Sequence, residues 1–385
     1  MSERIYLDNA ATSWPKPESV YRAVDHYLRH NGSTLGRTTS SLSSETQSRV
    51  DRLRHQIRTL AAASTAECLF TFNGTDSLNL AIQGTLGPGD HVVTTVAEHN
   101  SVLRPLRMLE ERTGIEVTRL ACDSCGRVSP DDIKKNLKAN TKLVAVIHCS
   151  NVTGGLNDLE AIGAVARSTE ALFLVDAAQS FGSQEIGFDR CGIDLLASPG
   201  HKGLMGPLGT GILLVSERAQ SRLQPVRQGG TGASSDSDQH PTSFPEGFES
   251  GNANVPGLIG LQAGVEYVSE QGVAKIAKKK MELASVFTEG ISRAQGIRLA
   301  ESPGTRESGI VSFNLQVAPA EVAMVLDTSF GIQVRAGYHC ASLIHPYTET
   351  PQGCVRVSFG CWNEVAEAES AAQALCEIAD SLGQF

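Results

Sequence analysis

The sequence lacks an apolar run long enough to cross a membrane, and it also lacks an excess of basic residues. Its longest apolar runs, such as 143–147 and 211–215, have the length of a strand, whereas a membrane helix needs about 20 residues. Acidic side chains number 42 and basic ones 33 in 385 residues, and the basic cluster Lys278–Lys280 fits a solvated helix face. No apolar run follows a basic start, as it would in a secretory signal. We therefore expect a cytoplasmic protein that binds neither nucleic acid nor membrane.

A disulfide framework is also missing. Nine cysteines, an odd number, are scattered without regular spacing, so we expect mostly buried thiols in a reducing compartment. The pair Cys122-x-x-Cys125 suits half of a redox or metal site, but no second Cys or His pair stands at metal-ligand spacing. Asp123, Ser124 and Gly126 favour a turn there, and we predict no metal site.

From residue 67 onward, short apolar strands alternate with helical patterns. The predicted strands are 68–72, 91–96, 115–120, 143–148, 171–175, 195–197 and 211–215. The predicted helices are 17–30 before them and 76–86, 100–113, 130–138 and 158–169 between them, and the Gly- and Ser-rich segment 32–44 is predicted to be a loop. Apolar strands separated by helices indicate an α/β protein whose mainly parallel sheet is covered on both faces.

The pattern changes after the polar segment 229–250, which has no periodicity and is either a functional loop or a domain connection. Beyond this segment, the predicted elements are helices at 257–271 and 273–294, strands at 309–315, 331–335 and 354–359, and a closing helix at 364–381. At about 100 to 200 residues per domain, the chain has room for two domains.

Polar residues stand at the ends of several predicted strands. Lys202 lies in a glycine-rich turn after the strand at 195–197, where a lysine can have a lowered pKa and form a Schiff base. Asp176 follows the strand at 171–175, at the end where α/β sheets bind ligands. Pyridoxal phosphate needs both groups, since a carboxylate keeps its pyridine nitrogen protonated, and Gln179 can bond the ring hydroxyl. Taken singly, Lys202 fits a surface turn and Asp176 a helix N-cap.

The same cofactor needs an anion site and a contact for its ring. Segment 70–77 is a strand, a glycine turn and a polar helix start, where backbone N–H groups and Thr75 can bind an anion, although Thr75 also fits an N-cap. Neither G-x-x-x-x-G-K-[ST] nor a well-placed G-x-G-x-x-G is present, which argues against a nucleotide. His99 and Asn151 also follow strands, and His99 can stack on a flat ring and exchange protons near neutral pH. Their joint occurrence favours one cofactor site over separate caps.

Short motifs spread along nearly the whole chain match one known family. They are Tyr6–Thr12 (YLDNAAT), Asn73–Thr75 (NGT), Glu98–Ser101 (EHNS), Val175–Ser180 (VDAAQS), Ser198-x-x-His201-Lys202, Phe248–Asn252 (FESGN) and Arg335–Ala341 (RAGYHCA). In these motifs the chain resembles the pyridoxal-phosphate enzymes of aminotransferase class V, within them the cysteine desulfurase and selenocysteine lyase group. The R-x-G-x-H-C-A form resembles the second desulfurase group.

The resemblance implies a role for each matched residue. Those implied to contact the cofactor are Lys202 (Schiff base), Asp176 (pyridinium nitrogen), Gln179 (ring oxygen), His99 (ring face), Thr75, Ser198 and His201 (phosphate), Asp76, and Asn252 from a second subunit. Asn151 and Arg356 are implied to hold the substrate carboxylate. Arg335 and His339 would be the cations that favour the thiolate of the implied nucleophile, Cys340. Asn252 stands where the family usually has threonine, and its amide can still donate a hydrogen bond.

The resemblance also implies a reaction and an assembly. Cys340 would take sulfur from L-cysteine as a persulfide and release L-alanine, with proton transfers shared by Lys202 and His99. Selenocysteine lyase activity, or transamination, racemisation or elimination without the persulfide, stays open, as does a cofactor-free α/β binding protein. The implied fold is that of a fold-type-I homodimer, with a large domain at 15–255 that contains a mainly parallel seven-stranded sheet. A small α+β domain would comprise 1–14 and 256–385, and an acceptor protein would receive the sulfur.

Overall fold

The computed structural model describes residues 4–36, 40–232, 236–292, 294–300 and 307–382. Parts of three predicted segments, namely 37–39, 233–235 and 293, lie outside these residues. The helices are α1 Glu18–His30, α2 Ser41–Leu60, α3 Gly74–Thr85, α4 Asn100–Thr113, α5 Pro130–Asn136, α6 Leu159–Arg167, α7 Glu217–Gln220, α8 Val255–Gln271, α9 Val273–Ile291, α10 Pro319–Phe330 and α11 Val365–Leu382. The strands are β1 Ile5–Tyr6, β2 Glu67–Thr71, β3 His91–Thr95, β4 Glu116–Leu120, β5 Thr141–Ile147, β6 Leu172–Asp176, β7 Leu195–Pro199, β8 Gly211–Val215, β9 Arg298–Leu299, β10 Ile310–Asn314, β11 Ile332–Gln333, β12 Arg335–Gly337 and β13 Cys354–Ser358.

A seven-stranded sheet in the order β2-β8-β7-β6-β5-β3-β4 forms the centre of the molecule. Strands β3 to β7 are parallel to their neighbours in this group, which confirms the predicted α/β class and the mainly parallel sheet. Strand β8 is antiparallel to both β7 and β2. The turn between β7 and β8 is too short to hold a crossover helix, and therefore the chain returns antiparallel.

Helices cover both faces of this sheet, so β6 and β7 are buried along their whole length and β5 is buried except at Lys142. On one face α2, α6 and α8 pack through apolar residues such as Leu53, Ile162 and Leu261. On the other face α3 and α4 contribute Ile82 and Leu106. The prediction of a loop at 32–44 is wrong at its end, since α2 begins at Ser41 with Ser40 as its N-cap.

The C-terminal part forms a second, four-stranded sheet in the order β12-β13-β10-β9. Its apolar face packs against α9 and α11 through residues such as Phe287 and Leu375. The N-terminal strand β1 pairs with β11, and Leu7 is buried in the same core. The N-terminal residues therefore pack with the C-terminal part, although the domain bounds 15–255 and 256–385 stay a prediction.

Membrane and metal sites were also tested against the described residues. None of the helices described is both long enough and apolar enough to span a membrane. Within the same part of the chain no group of three His, Cys, Asp or Glu side chains is placed to bind a metal ion. Cys122 and Cys125 lie in a turn closed by Asp123, whose Oδ1 accepts from the N–H groups of Cys125 at 2.9 Å and Arg127 at 2.8 Å.

Candidate active site

A cavity of about 240 Å³ lies at the carboxyl ends of β5, β6 and β7, the place where open α/β sheets bind ligands. These strands end at Ile147, Asp176 and Pro199, and all three residues line the cavity. The predicted site residues that line it are Thr75, His99, Asn151, Asp176, Gln179, His201, Lys202, Arg335, His339, Cys340 and Arg356.

Asp176 is the buried acid of the cavity and Lys202 is its half-buried base. Asp176 is 3 % exposed, and its Oδ1 accepts from Ala178 N at 2.9 Å. Burial raises the pKa of Asp176, while this hydrogen bond and the charge of Lys202 oppose the rise. Burial lowers the pKa of Lys202 to about 8, against the pull of Asp176. The Lys202 amine can therefore lose its proton and act as a nucleophile close to neutral pH.

The start of α3 lines one end of the cavity, where an anion site is predicted. Asn73 is the N-cap, and its side chain accepts from Asp76 N at 2.9 Å. Gly74 and Thr75 are the first two residues of α3, so their N–H groups have no carbonyl partner within the helix. Free N–H groups of this kind bind phosphate at the starts of helices. A Cβ on Gly74 would meet Pro199 Cδ at 3.0 Å, so a residue without a side chain is favoured where the turn meets β7.

His99 is the N-cap of α4, and its ring nitrogen closes the start of that helix. The Nδ1 atom accepts from Ser101 N at 3.0 Å, so the proton of the neutral ring is on Nε2. The Ser101 hydroxyl lies 2.8 Å from His99 Nδ1 and 2.8 Å from Thr75 Oγ1. Burial lowers the pKa of His99 to about 4, and Lys202 adds to the effect. At neutral pH His99 is therefore an uncharged imidazole that can donate through Nε2.

Arg356 presents a buried guanidinium on β13. It is 2 % exposed; its Nη1 donates to the backbone carbonyl of Asn151 at 2.9 Å and its Nη2 to Asp8 Oδ1 at 2.9 Å. Burial lowers the pKa of Arg356, and the Asp8 carboxylate opposes that shift. The guanidinium is thus a fixed cation at the edge of the cavity.

Cys340 is the exposed one among the nine cysteines, all of which are in the described part of the chain. Its φ of 58° and that of His339, 49°, lie in the left-handed region, which non-glycine residues seldom adopt. The Cys340 carbonyl accepts from Asn100 N at 2.7 Å, and Arg335 Nη2 lies 3.8 Å from the Cys340 sulfur. A tightly held turn therefore presents an accessible thiol next to a cation.

The expected positive charge of His339 is not found. His339 is buried, and its Nε2 is 2.9 Å from the carbonyl oxygen of Cys354, to which it donates. Burial and then the charge of Arg356 lower the pKa of His339 to about 3, so the ring is neutral. Arg335, and not His339, is the cation next to Cys340.

Three predicted site residues do not line this cavity. The Asp76 carboxylate accepts from Phe72 N at 3.0 Å and pairs with Arg227 at 3.4 Å. Ser198 is buried inside β7. Asn252 lines a separate pocket beside Phe70 and Arg227. Their predicted contacts with a cofactor stay predictions.

The comparisons with known proteins agree with this geometry. The aminotransferase class-V family matches residues 5–370. The chain belongs to that family.

Class-V relatives also match it along almost the whole length. A probable cysteine desulfurase of Methanothermobacter thermautotrophicus is 35 % identical over 98 % of this chain and 96 % of its own, and one of Pyrococcus abyssi is 35 % identical over 99 % and 95 %. The apo structure of the cysteine desulfurase from Thermococcus onnurineus NA1 is 34 % identical, with a TM-score of 0.91 over 98 % of this chain and 95 % of its own. This class-V chain therefore shares the complete fold of the cysteine desulfurases.

Sequence reasoning assigned no role to Asp8, Ser101 or Glu98. Ser101 follows His99 by two residues at the start of a helix, so the capping rules could have found its contact. Glu98 is fully buried below the cavity, where its Oε1 accepts from Thr95 Oγ1 at 2.7 Å and Ile147 N at 3.0 Å. Burial raises the pKa of Glu98 to about 8. No local pattern joins Asp8 to Arg356, from which it is separated by 348 residues.

Proposed function

We propose that the protein is a pyridoxal-phosphate-dependent cysteine desulfurase that converts L-cysteine to L-alanine and holds the sulfur on Cys340 as a persulfide. The observation that carries the proposal is the content of one cavity. A buried carboxylate, Asp176, a half-buried amine, Lys202, and an exposed thiol, Cys340, all line it. An aminotransferase needs the first two groups, and only sulfur transfer also needs the third.

The residues present fit pyridoxal phosphate. Its pyridine nitrogen requires an acid partner, and Asp176 is a carboxylate fixed at the end of β6. Its phosphate requires N–H donors, which the start of α3 supplies at Gly74 and Thr75. Its aldehyde requires an amine, and Lys202 has a pKa lowered by burial to about 8. A donor set of this kind, with acid, anion site and amine in one cavity, matches each end of the cofactor.

Each residue then has a defined task. Lys202 would hold the cofactor covalently, Gln179 would bond its ring oxygen, and Thr75 and His201 would bind its phosphate. When bound, the cofactor acts as an electron sink for the carbon atoms of the substrate amino acid. His99, as the neutral Nε2–H tautomer, donates a hydrogen bond into the cavity. The Lys202 amine accepts and returns the substrate protons.

Cys340 carries the group transfer. A bond forms between the Cys340 sulfur and the substrate sulfur, and the substrate Cβ–S bond breaks. The carbon keeps the bonding electron pair and takes up a proton, which yields alanine. Arg335, whose Nη2 donates to the Cys340 sulfur at 3.8 Å, would hold this sulfur in position for the attack.

The remaining parts of the proposal concern assembly and partners. We assign Asn151 and Arg356 to the substrate carboxylate, with the R-x-G-x-H-C-A segment placing the enzyme in the second desulfurase group. In a homodimer, Asn252 would reach the phosphate of the partner site, which explains its position outside its own cavity. The sulfur would then leave to an acceptor protein in the cytoplasm.

The test measures alanine and protein-bound persulfide in a single turnover with L-cysteine and, in parallel, L-selenocysteine. The variants are Cys340→Ser and, as a matched control, Cys376→Ser, which removes a half-buried cysteine on α11. We expect Cys340→Ser to lose alanine formation from L-cysteine, while the control retains it. Unchanged alanine formation in Cys340→Ser contradicts the persulfide mechanism. Turnover of selenocysteine alone identifies a selenocysteine lyase instead.

A further inference from the structure

The guanidinium of Arg356 has two of its donors occupied within the protein. Each terminal nitrogen of an arginine carries two N–H groups. Asp8 takes one from Nη2 and the Asn151 carbonyl takes one from Nη1, both at 2.9 Å. One N–H on each terminal nitrogen is left, and Arg356 lines the cavity. The Nε–H of Arg356 also has no partner among the described residues, so the guanidinium retains enough donors to bind a carboxylate through both oxygens.

Asp8 reaches this guanidinium because the N-terminal segment lies along β13. Asn9 N donates to the Ser358 carbonyl at 3.2 Å, and Ser358 N donates to the Leu7 carbonyl at 2.7 Å. A β-bridge pairs Asp8 with Ser358, which lies two residues after Arg356 on β13. The Tyr6 hydroxyl donates to the Asp8 carbonyl at 3.0 Å and fixes the backbone there. Asp8 is thus held in place independently of any ligand.

Arg356 is buried and Asp8 nearly so, with side-chain exposures of 2 % and 14 %. A buried guanidinium without its carboxylate partner is an uncompensated charge that can rotate or attract water. Arg335, a second cation, interacts unfavourably with Arg356. Asp8 is therefore placed to keep Arg356 oriented despite this repulsion.

We propose that Asp8 is a positioning residue that orients the Arg356 guanidinium for the substrate carboxylate and so makes the site select amino acids over simple amines. The proposal rests on the proposed function for the assignment of Arg356 to that carboxylate. Asp8 is not among the residues that line the cavity, so it would act on the substrate through Arg356.

The experiment compares the binding of L-alanine and ethylamine to the cofactor-loaded enzyme, followed through its visible absorption and by calorimetry. The two ligands differ only in the carboxylate. We expect Asp8→Asn to weaken L-alanine about tenfold, as for one charged hydrogen bond, and to leave ethylamine unchanged. The matched control is Asp194→Asn, which removes another ion pair with a buried carboxylate, Asp194–Arg218 at 2.8 Å, at the opposite end of β7. It should change neither ligand.

Equal weakening of both ligands by Asp8→Asn, no change in either, or the same effect in Asp194→Asn overturns the proposal. If Asp8→Asn does not fold, Asp8→Glu serves as the second variant, because it retains the charge and adds one methylene group. It must also weaken L-alanine more than ethylamine. Failure of the desulfurase proposal has a different signature, since the wild-type enzyme would then form no alanine from L-cysteine.

Discussion

The Asn151 side chain donates through Nδ2 to the backbone carbonyl of His339 at 2.6 Å. The backbone carbonyl of Asn151 in turn accepts from Arg356 Nη1 at 2.9 Å. Asn151, which follows β5, therefore connects two parts of the cavity. One is the turn that presents Cys340, and the other is the Arg356 guanidinium, which is assigned to the substrate carboxylate. The sulfur and the carboxylate of cysteine are separated by a fixed number of bonds, so in the proposed substrate site this connection would set the spacing between Cys340 and Arg356.

Loss of the Asn151 side chain should disturb that spacing. We expect Asn151→Ala to slow persulfide formation on Cys340 about tenfold, since one buried hydrogen bond contributes about 1 kcal/mol and the turn also loses its alignment. Rapid quenching followed by mass spectrometry of the intact protein measures the rate. The control is Asn140→Ala, whose amide donates to the Gly89 carbonyl at 2.9 Å on the exposed surface. An unchanged rate in Asn151→Ala would show that the connection has no role in transfer.

Two half-buried lysines lie near the cavity, and only one should bind the cofactor. Lys202 lines both the candidate active site and a neighbouring pocket that also contains Lys280. Burial lowers the pKa of both amines, but Asp176 faces Lys202. We expect borohydride reduction to fix the cofactor on the peptide that contains Lys202, and Lys202→Ala to lose the visible absorption. Lys280→Ala should retain both signals, and labelling of Lys280 would refute the assignment.

Buried histidines should make the protein sensitive to acid. Burial lowers the pKa of His148 to about 4. Between this value and the ordinary 6.5, the unfolded state binds more protons, so the free energy of unfolding rises with pH and is lost as the pH falls. We expect His148→Gln to remove about 2 kcal/mol of the difference in unfolding free energy between pH 5 and pH 7. Urea titrations at both pH values measure it. His26→Gln, at an exposed position, should keep the full difference.

The sheet and most of the cavity could be predicted because their signals are local. Asp176 ends β6 and Lys202 lies three residues after β7, and parallel strands bring their carboxyl ends together. Helix α2 was not predicted because its few apolar residues are separated by many Ser and Arg residues. Its apolar residues are buried where the helix packs against the sheet. The Asp8–Arg356 pair could not be foreseen, since it depends on how the N-terminal segment packs along β13.

The charge of His339 could not be predicted either, because it also depends on contacts between distant segments. Its sequence position next to Cys340 favours a cation that activates the thiol, whereas its tertiary position buries the ring against the Cys354 carbonyl. Protonation state follows from burial, and burial follows from contacts between distant segments. His99 likewise reveals its tautomer only through the hydrogen bond from Ser101 N.

With His339 neutral, Arg335 is the cation that contacts the Cys340 sulfur in the described part of the chain. Its Nη2 donates to the sulfur at 3.8 Å, where its positive charge can assist the reactions of this sulfur as a nucleophile. We expect Arg335→Ala to slow alkylation of Cys340 by iodoacetamide severalfold at neutral pH, and Arg335→Lys to restore much of the rate because it keeps the charge. Peptide mass spectrometry follows the modification of Cys340 relative to Cys376. Equal rates in the wild type and Arg335→Ala would assign the reactivity of Cys340 to its exposure alone, since exposure is the property that both proteins share.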